Sequence, residues 1–363
     1  MTLPAIILER KDPTRHKGDA MQQAAFRKVF VMLAGMTLTG LWGAIPALAQ
    51  GTADDAGFVP PRTAFGHPDL QGIWTNASQT PLQRPRELGE QRAFTAEQAR
   101  QVEQGWLDYM AARQAPSDPD RPPPTDGNTD LGYDNFWVDM GTDVIRIGDE
   151  YRTSILVQPA DGRVRYVEGV TPAFFASRPE GMGAYDGPEA RPLGERCLMS
   201  FGSSGGPPML PVMYNNNYQI VQTQDHVVIL VEMVHDARII RLDADFNPHD
   251  MQKWMGDSVG YYDDNTLVVK TRNINTSQRF RGSSPNAVIT EYFTRVADNK
   301  IDYRFEIEDP EVFAENLIGE VAMYRRPEGE PMYEYACHEG NHALAGILAG
   351  ARIQERDEAA AAQ

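Results

Sequence analysis

This chain has very little cysteine, two residues in 363, and a deficit of basic charge, with 34 Lys and Arg against 51 Asp and Glu for a formal charge of -17. That deficit excludes unspecific binding to nucleic acid or anionic lipid, because both need a basic face that releases counterions from phosphate. No glycine fingerprint of the phosphate-cradling type occurs, so neither a nucleotide nor another cofactor is expected. No internal period marks a repeat protein, and no alternation of strands with long helices supports a parallel α/β sheet. What is present, 41% apolar and 23% charged residues, is the composition of a globular chain able to bury a sizeable core.

Long apolar runs are absent after Ile45. Before it, Arg27 and Lys28 precede an apolar stretch from Val29 to Ile45, then Pro46 and the small-residue pattern Ala47-Leu48-Ala49. Residues 1–49 therefore read as a secretory signal peptide cleaved after Ala49, with Met21 the better start. The alternative is a membrane anchor, since the run comes close to spanning a bilayer. No basic stop-transfer cluster follows, so no stable span is expected after cleavage, and the expected location is periplasmic or extracellular. Cleavage removes six basic and three acidic side chains and leaves a charge of -20. Cys197 and Cys337 then face an oxidising compartment, where an even count predicts a disulfide. Such a bridge closes a loop worth at most roughly 5 kcal/mol through the unfolded state. Two buried thiols remain the other reading, because sequence alone does not bring the two Cα atoms within bridging distance.

The remaining chain divides into a loose Gly- and Pro-rich tether at 50–66, a single mainly-β domain at 67–354, and a charged, Ala-rich tail at 355–363. Thr95 with Gln98 forms a capping box ahead of Val102, Trp106, Leu107, Tyr109 and Met110, which predicts a helix over 95–113. A Pro-rich loop at 114–127 follows. Segments rich in β-branched residues at 144–147, 151–157, 163–167, 218–222, 226–234, 237–242, 267–271, 289–296, 301–308, 321–325 and 332–337 predict strands, the first two joined by a tight turn at Gly148-Asp149. Ile301 to Glu308 alternates apolar and charged residues strictly, so one face is buried and the other wet. Val227 to Val231 is apolar throughout and suits a strand buried on both faces. Residues 342–354 predict a second helix behind an Asn341 cap. Consecutive hairpins with only peripheral helices favour an antiparallel barrel or sandwich, lipocalin-like in type, since closure removes exposed edges.

His338-Glu339-Gly340-Asn341-His342 carries the letters of the zinc-peptidase motif H-E-x-x-H, which needs both imidazoles on one helical face. The alternating segment ahead of it and the Gly340-Asn341 pair within it favour a strand end followed by a helix cap, so no metal ligand is assigned. Gly202 to Gly206 fits G-x-S-x-G, yet Pro207-Pro208 forbid the helix which that nucleophile elbow requires. His235-Asp236 follows an apolar strand and suits an acid/base pair, although a salt-bridged turn with Arg238 is the plainer reading. Asp257, Glu334 and His338 complete a candidate catalytic set with His235 and Asp236. Tyr214, Asn216, Arg238, Trp254 and Tyr335 are candidate ligand contacts around a barrel mouth.

The phrases Pro68 to Thr75, Thr80 to Pro85, Gly206 to Leu210, Asn215 to Thr223, His235 to Arg238 and Tyr333 to Asn341 resemble a broad group of exported bacterial proteins with no settled activity. The resemblance covers nearly all of the chain after residue 49 and implies export and a single domain. It carries over no catalytic role. In similar chains an aromatic residue often stands at the position of His342, which implies against zinc there. Three functions follow as expectations. The first is a nucleotide-independent acid/base enzyme (a hydrolase, lyase or isomerase) acting on a small molecule at a barrel mouth. The second is a lipocalin-like carrier of a small-molecule ligand, and the third a zinc hydrolase through His338 and His342. None of the three sets an oligomeric state.

Overall fold

The computed structural model describes residues 57–114, 138–171, 179, 181–200, 205–234, 236–249 and 251–362. The signal-peptide reading at 1–49, the Pro-rich loop beyond Gln114 and His235 lie outside the described residues. In chain order the strands are β1 (Gly72–Thr75), β2 (Ala93–Phe94), β3 (Arg146–Ile147), β4 (Glu150–Arg152), β5 (Leu156–Gln158), β6 (Asn217–Gln222) and β7 (His226–Val231). They continue with β8 (Ala237–Leu242), β9 (Asp257–Asp263), β10 (Thr266–Arg272), β11 (Val288–Ala297), β12 (Lys300–Glu308) and β13 (Leu317–Arg325). The helices are α1 (Ala96–Gln114) and α2 (His342–Ala361).

Nine strands close into a barrel in the order β1-β6-β7-β8-β9-β10-β11-β12-β13, and β13 returns to β1 through Trp74 opposite Arg325 and Thr75 opposite Tyr324. The other half of that β13 edge carries β5. Strictly alternating strand directions cannot close a ring of odd number, so at least one pair of neighbours must be parallel. That pair is β8 and β9, with Ile240 opposite Ser258, joined by the crossover at 243–256. The ring is therefore a closed barrel, not a sandwich, and not a plain up-and-down meander. Strands β2, β4 and β3 make a small separate sheet against α1.

Side-chain alternation fills the barrel. From β12 the inward set is Ile301, Tyr303, Phe305 and Ile307, all buried, while Asp302, Arg304 and Glu306 alternate with them on the outer side. Strand β7 obeys the same rule: Val227, Ile229 and Val231 are buried and Val228 and Leu230 are half-exposed. The unbroken apolar run is thus buried on one face only, because among the described residues no helix covers the outer side of this strand as a crossover helix would. Gly319 faces Phe305 across β13 and β12, and a Cβ there would lie 2.1 Å from the ring. Phe305 is fully buried and has nowhere to go. Gly319→Ala is expected to cost about 3 kcal/mol by overpacking, read as a lowered urea midpoint at unchanged slope.

Both ends of the barrel are closed by loops. At one end Leu70 sits buried over the interior, its amide donating to Gln222 Oε1 at 2.7 Å and its carbonyl accepting from Trp74 Nε1 at 2.9 Å. Residues 57–66, expected as a loose tether, lie on this same end, with Arg62 donating to Asn265 and the Asp69 amide donating to the Pro61 carbonyl. The opposite end is closed by residues 205–212, whose Gly205, Gly206, Pro207, Pro208, Met209 and Leu210 are all buried.

Local signals in the sequence behave as their chemistry dictates. The Thr95 amide donates to Gln98 Oε1 and the Gln98 amide to Thr95 Oγ1, the reciprocal capping box that opens α1. Asn341 caps α2 by accepting from the Leu344 amide. That helix runs on to Ala361, past the expected end at 354, because its Ala, Gln, Glu and Arg residues all tolerate helix and none breaks it. Residues 332–337, expected as a strand, form no ladder. None of them is buried, and Tyr335 alone of the six packs partly against the core.

Candidate functional site

Inward positions of a barrel are ordinarily apolar, so a charged residue there stands out. Strand β8 points Arg238 inward in line with Ile240 and Leu242, and β11 points Glu291 inward in line with Ile289 and Phe293. Their side chains are 1% and 0% exposed. Arg238 grips Glu291 in a fork, Nη1 to Oε1 at 3.0 Å and Nη2 to Oε2 at 2.5 Å. Tyr303 donates its hydroxyl to Glu291 Oε1 at 2.8 Å and accepts the Met209 amide of the end-closing loop at 3.0 Å. Thr271 stands at the edge of the fork and shares a 2.8 Å hydrogen bond with Ser258. Burial and the Glu291 carboxylate hold the Tyr303 phenol well above its usual range, so it stays protonated and donates. For Arg238, burial opposes charge, but the Glu291 contact outweighs it and the guanidinium stays cationic.

The loop adds a second polar group. Asn76, fully buried just beyond β1, donates to the Tyr218 hydroxyl at 3.2 Å and to the Met209 carbonyl at 3.4 Å. Among the described residues its Oδ1 has no hydrogen-bond partner, and neither does Arg238 Nε. Buried Met199 and Met255 converge on Gly205 and Met209 on Gly206 of the closing loop, unbranched and polarizable side chains that adapt to irregular shapes. Val234, next to His235, holds a left-handed backbone (φ 68°) that a β-branched residue rarely adopts, and such strain concentrates at functional turns.

The predicted site residues separate into three groups. Arg238 is internal, and its partner is Glu291; the surface pair with Asp236 is not what it makes. Tyr214 and Tyr335 come together as a stacked pair with ring centres 6.3 Å apart, outside the loop-closed end. Asn216 is buried and committed to the loop: Oδ1 accepts from the Val212 amide, and Nδ2 donates to the Asp139 and Val212 carbonyls. Glu334 and His338 are exposed on the segment after β13, and Trp254 is exposed on the crossover. His338 lies in a turn and His342 opens α2, so the two imidazoles do not share a helical turn. The Cys197–Cys337 disulfide is formed, with Cα atoms 5.7 Å apart. It lies in the wall of a groove of about 370 Å³ shared with Tyr335, Leu344 and Ile347.

Asp257 is a structural tie. It accepts from Lys253 Nζ at 2.8 Å, Arg241 Nη2 at 3.0 Å and the Asn247 amide at 2.8 Å, pinning the crossover to β8. Burial pushes its carboxyl upward, but Lys253, the Asn247 amide and Arg241 prevail and hold it below the usual carboxylate range. A depressed folded pKa gives stability that is present above the unfolded value of about 3.9 and is lost as pH falls through the folded one. Asp257→Asn is therefore expected to cost about 1–3 kcal/mol at neutral pH and to flatten the acid limb of stability, read by urea unfolding from pH 7 down to pH 3.

Arg238 and, among the aromatics able to line a cavity, Tyr303 are conspicuous in the sequence, whereas Glu291 and Asn76 are not. The available signal was parity: in Ile289-Thr290-Glu291-Tyr292-Phe293, the acid shares a face with the two most apolar residues. No protein-family model, curated protein or solved structure matches this chain. Among the described residues no helix is long and apolar enough to cross a membrane, and no group of three or more His, Cys, Asp or Glu is arranged to hold a metal ion.

Proposed function

We propose that this chain is an exported small-molecule carrier or sensor, whose ligand is held at the barrel end closed by residues 205–212. The observation that carries this reading is the internal Arg238–Glu291–Tyr303 set beneath a loop. A buried ion pair is a poor means of stability, since well-packed apolar residues of the same volume usually do as well or better. Its place beneath a loop packed by Met199, Met209 and Met255 suits recognition. Binding is favoured over acid/base catalysis because the expected catalytic groups are dispersed, with Asp257 locked by two cations and Glu334 and His338 exposed on a surface segment. Export rests on the leader-like residues 21–49 and accords with the disulfide.

The test is solvent extraction of protein purified from its own host, followed by mass spectrometry and re-incubation of the extract with fresh protein. One compound in near-equimolar amount, returned unchanged, is the expected result. Its conversion to a product would establish the acid/base enzyme instead. Protein that carries nothing and rebinds nothing from host extract would overturn the reading.

A further inference from the structure

Resting on that binding reading, we infer that the ligand class is a neutral, apolar compound ending in a primary carboxamide, such as a capped amino-acid amide, which takes the place of Met209. Met209 is the only residue of the closing loop shown bonded to both Tyr303 and Asn76 among the described residues. Its amide donates to the Tyr303 hydroxyl at 3.0 Å and its carbonyl accepts from Asn76 Nδ2 at 3.4 Å, while its thioether is fully buried. The loop thus fills the barrel end with an N–H donor, an adjacent C=O acceptor and an apolar side chain, the chemistry of one peptide residue.

The fit is incomplete, and the shortfall indicates the better occupant. Among the described residues Asn76 Oδ1 is buried without a partner while Nδ2 of the same amide is used. A tertiary amide, ester or ketone at the Met209 position would leave Oδ1 as it is. A primary carboxamide accepts from Nδ2 and donates to Oδ1 at once, a paired amide–amide contact that removes the orphan. Charge argues for a neutral molecule: Glu291 already neutralises Arg238 through both Nη atoms, so an added carboxylate would meet like charge with no surplus cation.

The loop competes with any such ligand, because a tethered occupant acts at high effective concentration. Gly206 is where it can be loosened without touching Tyr303 or Asn76. The residue has φ +77°, and a Cβ there would lie 2.9 Å from Met209 Cγ and 3.3 Å from Arg238 Nη1. Gly206→Ala should open the site in proportion to the closed population it removes, raising apparent affinity roughly tenfold.

The experiment measures binding of N-acetyl-L-methioninamide, its methyl ester analogue and N-acetyl-L-methionine by saturation-transfer NMR, on the wild-type chain and on Gly206→Ala and Asn76→Leu. The amide should bind roughly tenfold better than the ester, the acid should bind least, and Gly206→Ala should tighten all three. In Asn76→Leu the amide should lose its advantage over the ester. Equal binding of amide and ester, an advantage that survives Asn76→Leu, or no binding of any probe to wild type and Gly206→Ala would overturn the inference. Should Gly206→Ala fail to fold, the order of the three probes on the wild-type chain decides it. A ligand extracted from the host that is no carboxamide would sink this inference and leave the carrier reading standing, whereas protein that carries nothing and rebinds nothing from host extract would sink the carrier reading itself.

Discussion

Glu291→Leu should cost about 3–5 kcal/mol of folding stability, measured by urea unfolding at neutral pH. The substitution is close in volume and apolar, so the penalty is not a cavity. It arises because Arg238 is 1% exposed and, without Glu291, keeps a full charge whose one remaining hydrogen-bond partner among the described residues is the Thr271 hydroxyl. Tyr303 loses the carboxylate it donates to and retains only the Met209 amide. A domain is stable by about 5–15 kcal/mol in total, so this single change should bring the barrel near its limit. A loss below about 1 kcal/mol would mean that water reaches the pair and that the site is not sealed.

Removing the Cys197–Cys337 bridge should be as damaging, at roughly 3–5 kcal/mol, for a different reason. The bridge joins residues 140 apart and encloses β6 to β13, so its loss frees most of the barrel sequence in the unfolded chain. In the folded state little should change. Residues 326–362 contain no buried side chain, and their ties to the body include the bridge, the Tyr214–Tyr335 stack and Asn341 donating to the Glu195 carbonyl. The far-ultraviolet spectrum of Cys197→Ser/Cys337→Ser should therefore stay barrel-like while the urea midpoint falls. An unchanged midpoint would place the cross-link outside the cooperative unit.

Much of this architecture is legible in the residue pattern, and the division is physical. Period-two alternation displays β12 and the hairpin to β11, and the Thr95–Gln98 and Asn341 caps announce both helices, because these are local chemistries. Closure of β13 on β1 pairs Arg325 with Trp74, some 250 positions apart, and no local signal encodes a contact of that separation. The parallel β8–β9 pair follows from the odd strand number only once closure is known. The site is half legible for the same reason. Arg238 is conspicuous beside a strongly apolar strand, but its partner lies 53 residues on, and only the shared inward face of β8 and β11 unites them. Asp257 misled because a carboxylate at a strand start reads alike whether it is reactive or tied by Lys253, Arg241 and the Asn247 amide.

If the internal ion pair serves a ligand and not the fold, the double variant Arg238→Met/Glu291→Leu should separate the two roles. Removing both charges at once avoids the orphaned guanidinium that cripples the single variant. Urea unfolding and host-ligand extraction should be run side by side on wild type and double variant. Stability is expected within about 1 kcal/mol of wild type, or above it, together with loss of the co-purifying compound. A double variant that is as unstable as Glu291→Leu, or one that still carries the compound in full amount, would contradict it.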